Sequence, residues 1–587
     1  MKKSNSEHID FGSLVHQTHG DKRIIGEQEK LTDKKVPLYS KLVGLEKSKP
    51  EYISYDKIVK KRLGSKEFID EQHKITNKDN QLYFKLISLE ISRKINDHVR
   101  INFSGTIESS QQEEFIKMAD SETAIEFDYL DHQNNQVALF RGIVTDIKIK
   151  FNAQNTLEID GVSYTYMLDR ELKSRSFPDD TMKYSQLIET VLAEYSGAGY
   201  GDIVTEGSPL KGFILQHLET DWEFLKRLAS HFNTGLVATA EIDKPYFYFG
   251  IPDQNLVTIT NGMLDNINGS GDNERILEMK KRTINCRDID GKYIGEYGKK
   301  EILSYELRTY RVLNIGDTIQ VYKKSTSSLF GKDIAPDTFS DTQEYTFYVY
   351  ESKAVMEESR LNFYYQLVFK EELYLDQIYN QQITGLSLEG TVIGREKDYI
   401  RVHLQIDKDY EKEHKVKNNA TQKGALFPYA TPYTAEGNTG WYCMPEEGDT
   451  VNLYFPSHNE NTGIILSSIR KQTQNGDKIT DPAVKYFRHK NTEIRFSENN
   501  VLITLNQYDE KNKTDVALVS IELDEAAGLK IYGQKDLRLT AGNDIILQST
   551  NGDIKISAGS LIDMVCKDSG LSMNGTTNLK GKKINEN

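Results

Sequence analysis

Cysteine and proline are both scarce in this chain, at 3 and 12 among 587 residues. Cys286, Cys443 and Cys566 lie far apart, in neither paired nor metal-type spacing. That excludes a disulfide framework and points to synthesis in a reducing compartment. No run of eighteen apolar residues occurs, so no transmembrane segment is expected, and the N-terminus MKKSNSEHIDFG lacks the apolar stretch of a secretory signal. A protein of this kind would leave a cell only through a dedicated machine. The net charge of −14 argues against nucleic acid as a main partner.

Catalytic signatures are missing too. There is no G-x-S-x-G, no H-E-x-x-H and no P-loop. Gly197 to Gly201 is glycine-rich but follows a helical stretch, whereas a dinucleotide site needs a preceding strand, so it reads as a loop. His16 and His19 stand three apart with no further ligand nearby and read as surface residues. No catalytic, cofactor or metal residue is assigned, and a non-enzymatic protein is expected.

What the chain does have is strand formers, with 33 Tyr, 23 Phe and frequent Val, Ile and Thr. Near the C-terminus these become periodic. Ile521, Leu529, Leu537, Ile545, Ile554, Ile562, Leu571 and Leu579 follow one another at gaps of 8, 8, 8, 9, 8, 9 and 8. All but the last have an apolar residue two positions on, which puts both side chains on one face of a short strand. Glycines such as Gly528, Gly542, Gly552 and Gly559 supply corners. Short strands at fixed period indicate a β-helix or β-prism. Two apolar residues per octad cannot close a core around one chain. Three chains would bring about six into each layer, on the order of 10 kcal/mol before entropy is subtracted. An obligate homotrimer is expected, its needle about 40 Å long at ~4.8 Å per strand.

The remaining segments divide as follows. Residues 1–80 carry 17 Lys+Arg against 13 Asp+Glu and read as an extension of unknown role, with Lys57 to Arg62 (KIVKKR) as a solvated helix face. Residues 81–384 alternate strand-like runs with helices at Lys183 to Tyr195 and from Thr220 or Asp221 onward. TFYVYESKAVMEESRLNFYYQLVFK reads as a hairpin. Residues 385–475 hold short strands with glycine-rich turns, the make-up of a five-stranded OB-like barrel, with Asp407 to Lys417 as an exposed loop. Residues 476–587 form the spike.

Three passages carry a family resemblance. Phe140-Arg141-Gly142-Ile143-Val144, Gln216 to Arg227 (QHLETDWEFLKR) and Trp441 to Phe455 (WYCMPEEGDTVNLYF), followed by Gly463-Ile464-Ile465, occur in this order. Together they resemble the VgrG family, the trimeric spike of type VI secretion and other contractile injection systems, and the hub and spike of contractile phage tails. The resemblance implies a mainly β protein: two hub β-barrels with short helices, an OB-like small barrel and an intertwined trimeric β-helix. It implies a puncturing device that caps a hexameric inner tube among baseplate proteins, assembled in the bacterial cytoplasm and expelled on contraction. A PAAR-type tip protein and effectors would ride on its end, with Lys580, Lys582, Lys583 and Ile584 as candidate tip contacts.

The residues of QHLETDWEFLKR also have a plain structural reading, as a capped amphipathic helix with Arg227 reaching another segment. Glu446 and Glu447 sit on a turn and point apart, which disfavours a general-acid role. Two alternatives stay open: a spike-mounted peptidoglycan-degrading enzyme, which would need two carboxylates ~5–9.5 Å apart in a cleft, and a phage tail baseplate spike. A trimeric receptor-binding fibre fits the rod but not the preceding hub and barrel.

Overall fold

The computed structural model describes residues 57–573, apart from 70–80, 119–122, 132, 152–153, 180, 254, 261–277, 286–300, 323–343, 358–359, 415–422, 436–438, 472–480, 510 and 512–513. The chain is mainly β and divides into two units, 1–470 and 471–587. Among the described residues no helix is long and apolar enough to cross a membrane.

The first unit begins with strands β1 (Ile58–Leu63), β2 (Lys66–Ile69), β3 (Gln81–Lys94), β4 (Arg100–Ile107), β5 (Ala124–Leu130), β6 (Gln136–Lys150) and β7 (Thr156–Ser163). A short helix, α1 (Gln112–Lys117), lies between β4 and β5. The pairings run in a closed cycle, β3-β2-β1-β5-β6-β7-β4 and back to β3. Alternation explains the closure. In β4, Ile101, Phe103, Gly105 and Ile107 are buried while Asn102, Ser104 and Thr106 between them are not, the period of two that aims one face inward. The expected solvated helix at Lys57 to Arg62 is not found. Its residues enter β1, where Lys61 and Leu63 are buried and Arg62 pairs with Glu126 of β5. Four cations in six residues hide a strand, within which Lys61 is buried. Residues 58–69 therefore belong with the hub strands, ahead of the expected boundary at 81.

Gly142 in the Phe140-Arg141-Gly142 phrase is obligatory, because a Cβ there would lie 2.2 Å from the Val162 carbonyl oxygen. Arg141 beside it donates to the carbonyls of Phe127 and Phe140, both at 2.9 Å, and to Asp128.

Next come β8 (Lys173–Phe177), α2 (Tyr184–Leu192), β9 (Gly199–Asp202), β10 (Ile214–Glu219), α3 (Asp221–Ser230), β11 (Leu236–Ala238) and β12 (Tyr246–Phe249). The pairs are β8 with β10, and β12 with both β9 and β11. The glycine run expected as a loop ends in β9, since tyrosines 246 and 248 of β12 pack over Gly199 and Gly201 and leave no room for side chains. Strands β13 (Leu256–Thr260), β14 (Glu278–Asn285), β15 (Glu301–Thr309), β16 (Thr318–Tyr322), β17 (Glu344–Glu357) and β18 (Arg360–Val368) form a second hub sheet in the order β13-β16-β17-β18-β15-β14. This sheet does not close among the described residues. It joins the first through β17 and β3, with Ala354 opposite Ile91, and the expected hairpin is the β17–β18 pair.

The small barrel comprises β19 (Ser387–Glu396), β20 (Tyr399–Leu404), α4 (Gln405–His414), β21 (Ala425–Pro428), the hairpin β22 (Tyr433–Ala435) and β23 (Thr439–Trp441), β24 (Thr450–Tyr454) and β25 (Ile464–Ile469). Its sheet order is β21-β20-β19-β24-β25, and a bridge between Tyr429 and Ile465 returns β25 to the end of β21. The MPEEGDT turn, with Gly448 at φ +94°, feeds Val451, Leu453 and Phe455 into this core. The expected exposed loop at Asp407 to Lys417 is instead helical through His414, and Asp407 is buried.

The second unit is a five-stranded antiparallel meander, β26 (Lys485–His489), β27 (Thr492–Phe496), β28 (Asn500–Asp509), β29 (Thr514–Asp524) and β30 (Gly528–Gly533), with a hairpin β31 (Ile562–Cys566) and β32 (Ser569–Met573). The first two octads are thus strands of one hairpin, with Ile521 opposite Ile531 and Leu523 opposite Leu529, not successive rungs. The turn decides this. The Asp524 carboxylate accepts the amides of Ala526 (3.0 Å) and Ala527 (2.7 Å), and Gly528 at φ +76° reverses the chain.

The meander has two unlike faces. Phe487, Ile494, Ile503, Ile521 and Ile531 stand opposite one another across all five strands, and Phe496, Val501, Leu523 and Leu529 make a second row. The other face carries Arg488–Glu493 and Glu522–Lys530 ion pairs, both at 3.3 Å.

Candidate functional site

The residues of QHLETDWEFLKR form a polar joint that ties the hub to the small barrel. Strand β10 carries Gln216 to Glu219, and Thr220 starts α3. The Thr220 hydroxyl accepts the Glu223 amide (3.1 Å), and the Glu223 carboxylate accepts the Thr220 amide (3.0 Å), a reciprocal cap. Thr220 also donates to Asp169, whose other oxygen lies 3.2 Å from Nε2 of His98. Burial outweighs that carboxylate and holds the His98 pKa below its ordinary value. The Trp222 indole N–H donates to the Asn96 carbonyl (3.3 Å). The start of α3 is therefore pinned to the first hub barrel.

Asp221 is fully buried and accepts from Lys173 Nζ (2.8 Å), Arg175 Nη2 (2.6 Å), Tyr195 Oη (2.7 Å) and Gln216 Nε2 (3.0 Å). Lys173 and Arg175 also reach Glu194, and the Tyr410 hydroxyl of α4 donates to the same carboxylate. Two cations thus face two carboxylates. Burial alone would raise the Asp221 pKa, but Arg175 and Lys173 outweigh it and hold it below the usual range.

Arg227, six residues on along the same helix, is buried. Its Nε and Nη2 each donate to Glu219 at 2.8 Å, Nη1 donates to Glu460 (2.7 Å), and Nη2 also donates to the Leu215 carbonyl (2.7 Å). The expectation that Arg227 reaches another segment holds, and the segment is in the small barrel. There Glu460 also accepts the Leu215 amide (3.2 Å), and Asn461 accepts the Phe213 amide (3.0 Å). Phe213 sits in the small barrel's own core, 5.1 Å from the Phe427 ring. Burial raises the Glu219 pKa against the pull of Arg227.

Lys173, Arg175, Glu219, Asp221 and Arg227 are buried and committed to partners, while Asp169 and Glu194 keep part of their surface in solvent. Such an arrangement fixes two bodies to each other and resists shear. Lys173, Arg175, Glu194, Tyr410 and Glu460 carried no signal in the sequence, because they lie up to 235 positions from the residues they meet.

No protein-family model matches the sequence, and no curated protein matches it. Several solved structures are similar. One is the E. coli c3393 protein, described as a component of the type VI secretion system with structural similarity to the T4 bacteriophage tail proteins gp27 and gp5. It is 14% identical with a TM-score of 0.44, over 68% of this chain and 100% of that one. A second is the half-lidded Francisella PdpA–VgrG complex, 10% identical with a TM-score of 0.44, over 85% of this chain and 91% of that one. A third is the 43 kDa tail protein of prophage MuSo2 from Shewanella oneidensis, 12% identical with a TM-score of 0.35, over 54% and 99%. The chain is similar in structure to VgrG-type spikes and phage tail proteins.

The four candidate tip contacts, Lys580, Lys582, Lys583 and Ile584, lie outside the described residues, as do His16 and His19. Glu446 and Glu447 are exposed on the turn before β24. A cavity of about 30 Å³ between the hub sheets, lined by Arg93, Tyr129, Glu241 and Ser352, has room for a water or two.

Proposed function

We propose that the chain is the structural hub and spike of a contractile injection apparatus, acting as a homotrimer without catalysis of its own. The hub would cap the inner tube, the small barrel would narrow it, and the C-terminal region would form the needle. The observation that carries this reading is the apolar face of the 485–533 meander. Leu523 and Leu529 are 49% and 61% exposed in the single chain, and the next octads, Leu537, Ile545 and Ile554, are 61%, 53% and 54% exposed. Exposed apolar side chains aligned in this way mark an interaction surface. Three copies turned inward would cover it and leave the charged face outside.

Sheath contraction would supply the work, and this chain would transmit it. The buried joint around Asp221 and Arg227 suits that load, since it binds hub and barrel through charge-assisted hydrogen bonds at several points. A PAAR-type tip protein would seat on the far end, with Lys580, Lys582, Lys583 and Ile584 as contacts. The complex would assemble in the bacterial cytoplasm and leave on contraction.

The test is mass in solution, where about three times 67.2 kDa is expected. A folded monomer with an intact C-terminal region refutes the proposal. For the tip, a chain truncated after Ser572 should trimerise yet lose a co-purifying tip protein; retained binding defeats that assignment.

A further inference from the structure

The joint between hub and small barrel holds more buried negative charge than positive. Lys173, Arg175 and Arg227 face Glu194, Asp221, Glu219 and Glu460, and a fifth carboxylate, Asp407, is bound to Ser176 of β8. The cations are fully engaged with the first four carboxylates. Asp407, on α4 of the small barrel, has none of them.

Asp407 is 2% exposed. One carboxylate oxygen accepts the Ser176 amide at 2.6 Å and the other accepts the Ser176 hydroxyl at 2.7 Å. Ser176 belongs to β8 of the hub, so this contact crosses the joint. On its own helix Glu411 repels its charge, while Lys408 turns to the Thr391 hydroxyl of β19 at 2.8 Å. From β8, Arg175 points to Glu194 and Asp221. From β20, His403 is itself held below its ordinary pKa by burial and by Lys408. Among the described residues no lysine, arginine or histidine makes an ion pair with Asp407 (the ion pairs of this region all lie elsewhere).

We propose that Asp407 is a proton-operated latch between the hub and the small barrel, closed more firmly when its carboxyl group is protonated. A neutral carboxyl fills the same space, accepts the Ser176 amide on one oxygen and can donate to the Ser176 hydroxyl on the other, with no buried charge to sustain. The anion keeps both hydrogen bonds but must do without water or a counter-ion.

The pKa follows the same direction, pushed up to about 7 chiefly by burial, against the hydrogen bonds from Ser176. The sign is then fixed. In the opened joint Asp407 would titrate near the ordinary carboxylate value of about 3.9. Between that value and about 7 the closed joint binds more protons than the open one, so closure weakens as pH rises across this window and is weakest above it.

The experiment is hydrogen exchange of the β8 amides in the full-length protein, corrected for intrinsic rates, at pH 5 and pH 8. The Ser176 amide should lose protection by on the order of a hundredfold at pH 8 relative to pH 5, since each pK unit is tenfold. Asp407→Asn, which keeps size and both hydrogen bonds, should level the two values. Wild-type protection that is equal at both pH values overturns the latch, and so does an Asp407→Asn protein that retains the full loss. The wild-type comparison stands even if the variant folds poorly. Because the assay reads one joint within one chain, its failure leaves the trimeric spike standing, and the converse holds.

Discussion

Replacing Arg227 by methionine tests whether the joint bears the weight assigned to it. Methionine keeps most of the apolar stem and deletes the five N–H donors. Three acceptors lose their partner: Glu219, held at 2.8 Å by two donors, Glu460 at 2.7 Å and the Leu215 carbonyl at 2.7 Å. Removing one partner of a buried ion pair costs about 3–5 kcal/mol, and an orphaned buried carbonyl adds about 1–3 kcal/mol. Glu219, whose pKa burial already raises, can escape part of this by taking up a proton. The loss should therefore be about 5 kcal/mol at pH 8 and clearly smaller at pH 5. Arg227→Lys keeps the charge but not the planar fork and should cost about 2 kcal/mol. Urea unfolding followed by tryptophan fluorescence reads the effect, because one of the chain's two tryptophans, Trp222, is buried in this helix. A loss below about 1 kcal/mol at pH 8, or a lysine variant equal to wild type, would refute the account of the joint.

Other outcomes can be checked alongside. Ile521→Asp places a carboxylate within the longer apolar row and should abolish self-association by sedimentation, whereas Ser520→Asp on the opposite face should leave it intact. Thr220→Ala removes the helix cap and the bond to Asp169, and should lower stability by about 1–2 kcal/mol in the same urea assay. His231 is pushed down to about 4, chiefly by burial and then by Arg227 and Lys211. Its unfolded form takes a proton first as pH falls, so stability should decline from about pH 6.5 toward 4, and His231→Gln should flatten that limb. This slope runs opposite to that of Asp407, so the two variants bend the pH profile in opposite directions.

Much of the fold was legible because it is periodic or capped. Residue types alternating along β4 and the hairpin 344–368 report a buried face directly. The start of α3 was legible because a capping box is local, with Thr220 and Glu223 only three positions apart. KIVKKR does not declare itself a strand, because strand and helix can both solvate a run of lysines, and only its pairing to β5 decides between them. The burial of Asp407 is not legible for the opposite reason, since a helix rich in Lys and Glu gives no sign that one carboxylate faces inward.

The octads show where the division falls. The spacing from Ile521 onward determined that paired apolar residues share one strand face, since side-chain direction is a property of consecutive backbone units. Whether successive doublets stack or fold back on each other depends on the corner between them. At 524–528 that corner is set by Asp524 capping two amides and by the positive φ of Gly528. The same holds for the joint. The composition of QHLETDWEFLKR fixed a capped helix with charges at both ends, but the partners of those charges lie in Lys173, Arg175, Glu194 and Glu460, which only the packing of hub against barrel brings within hydrogen-bond reach.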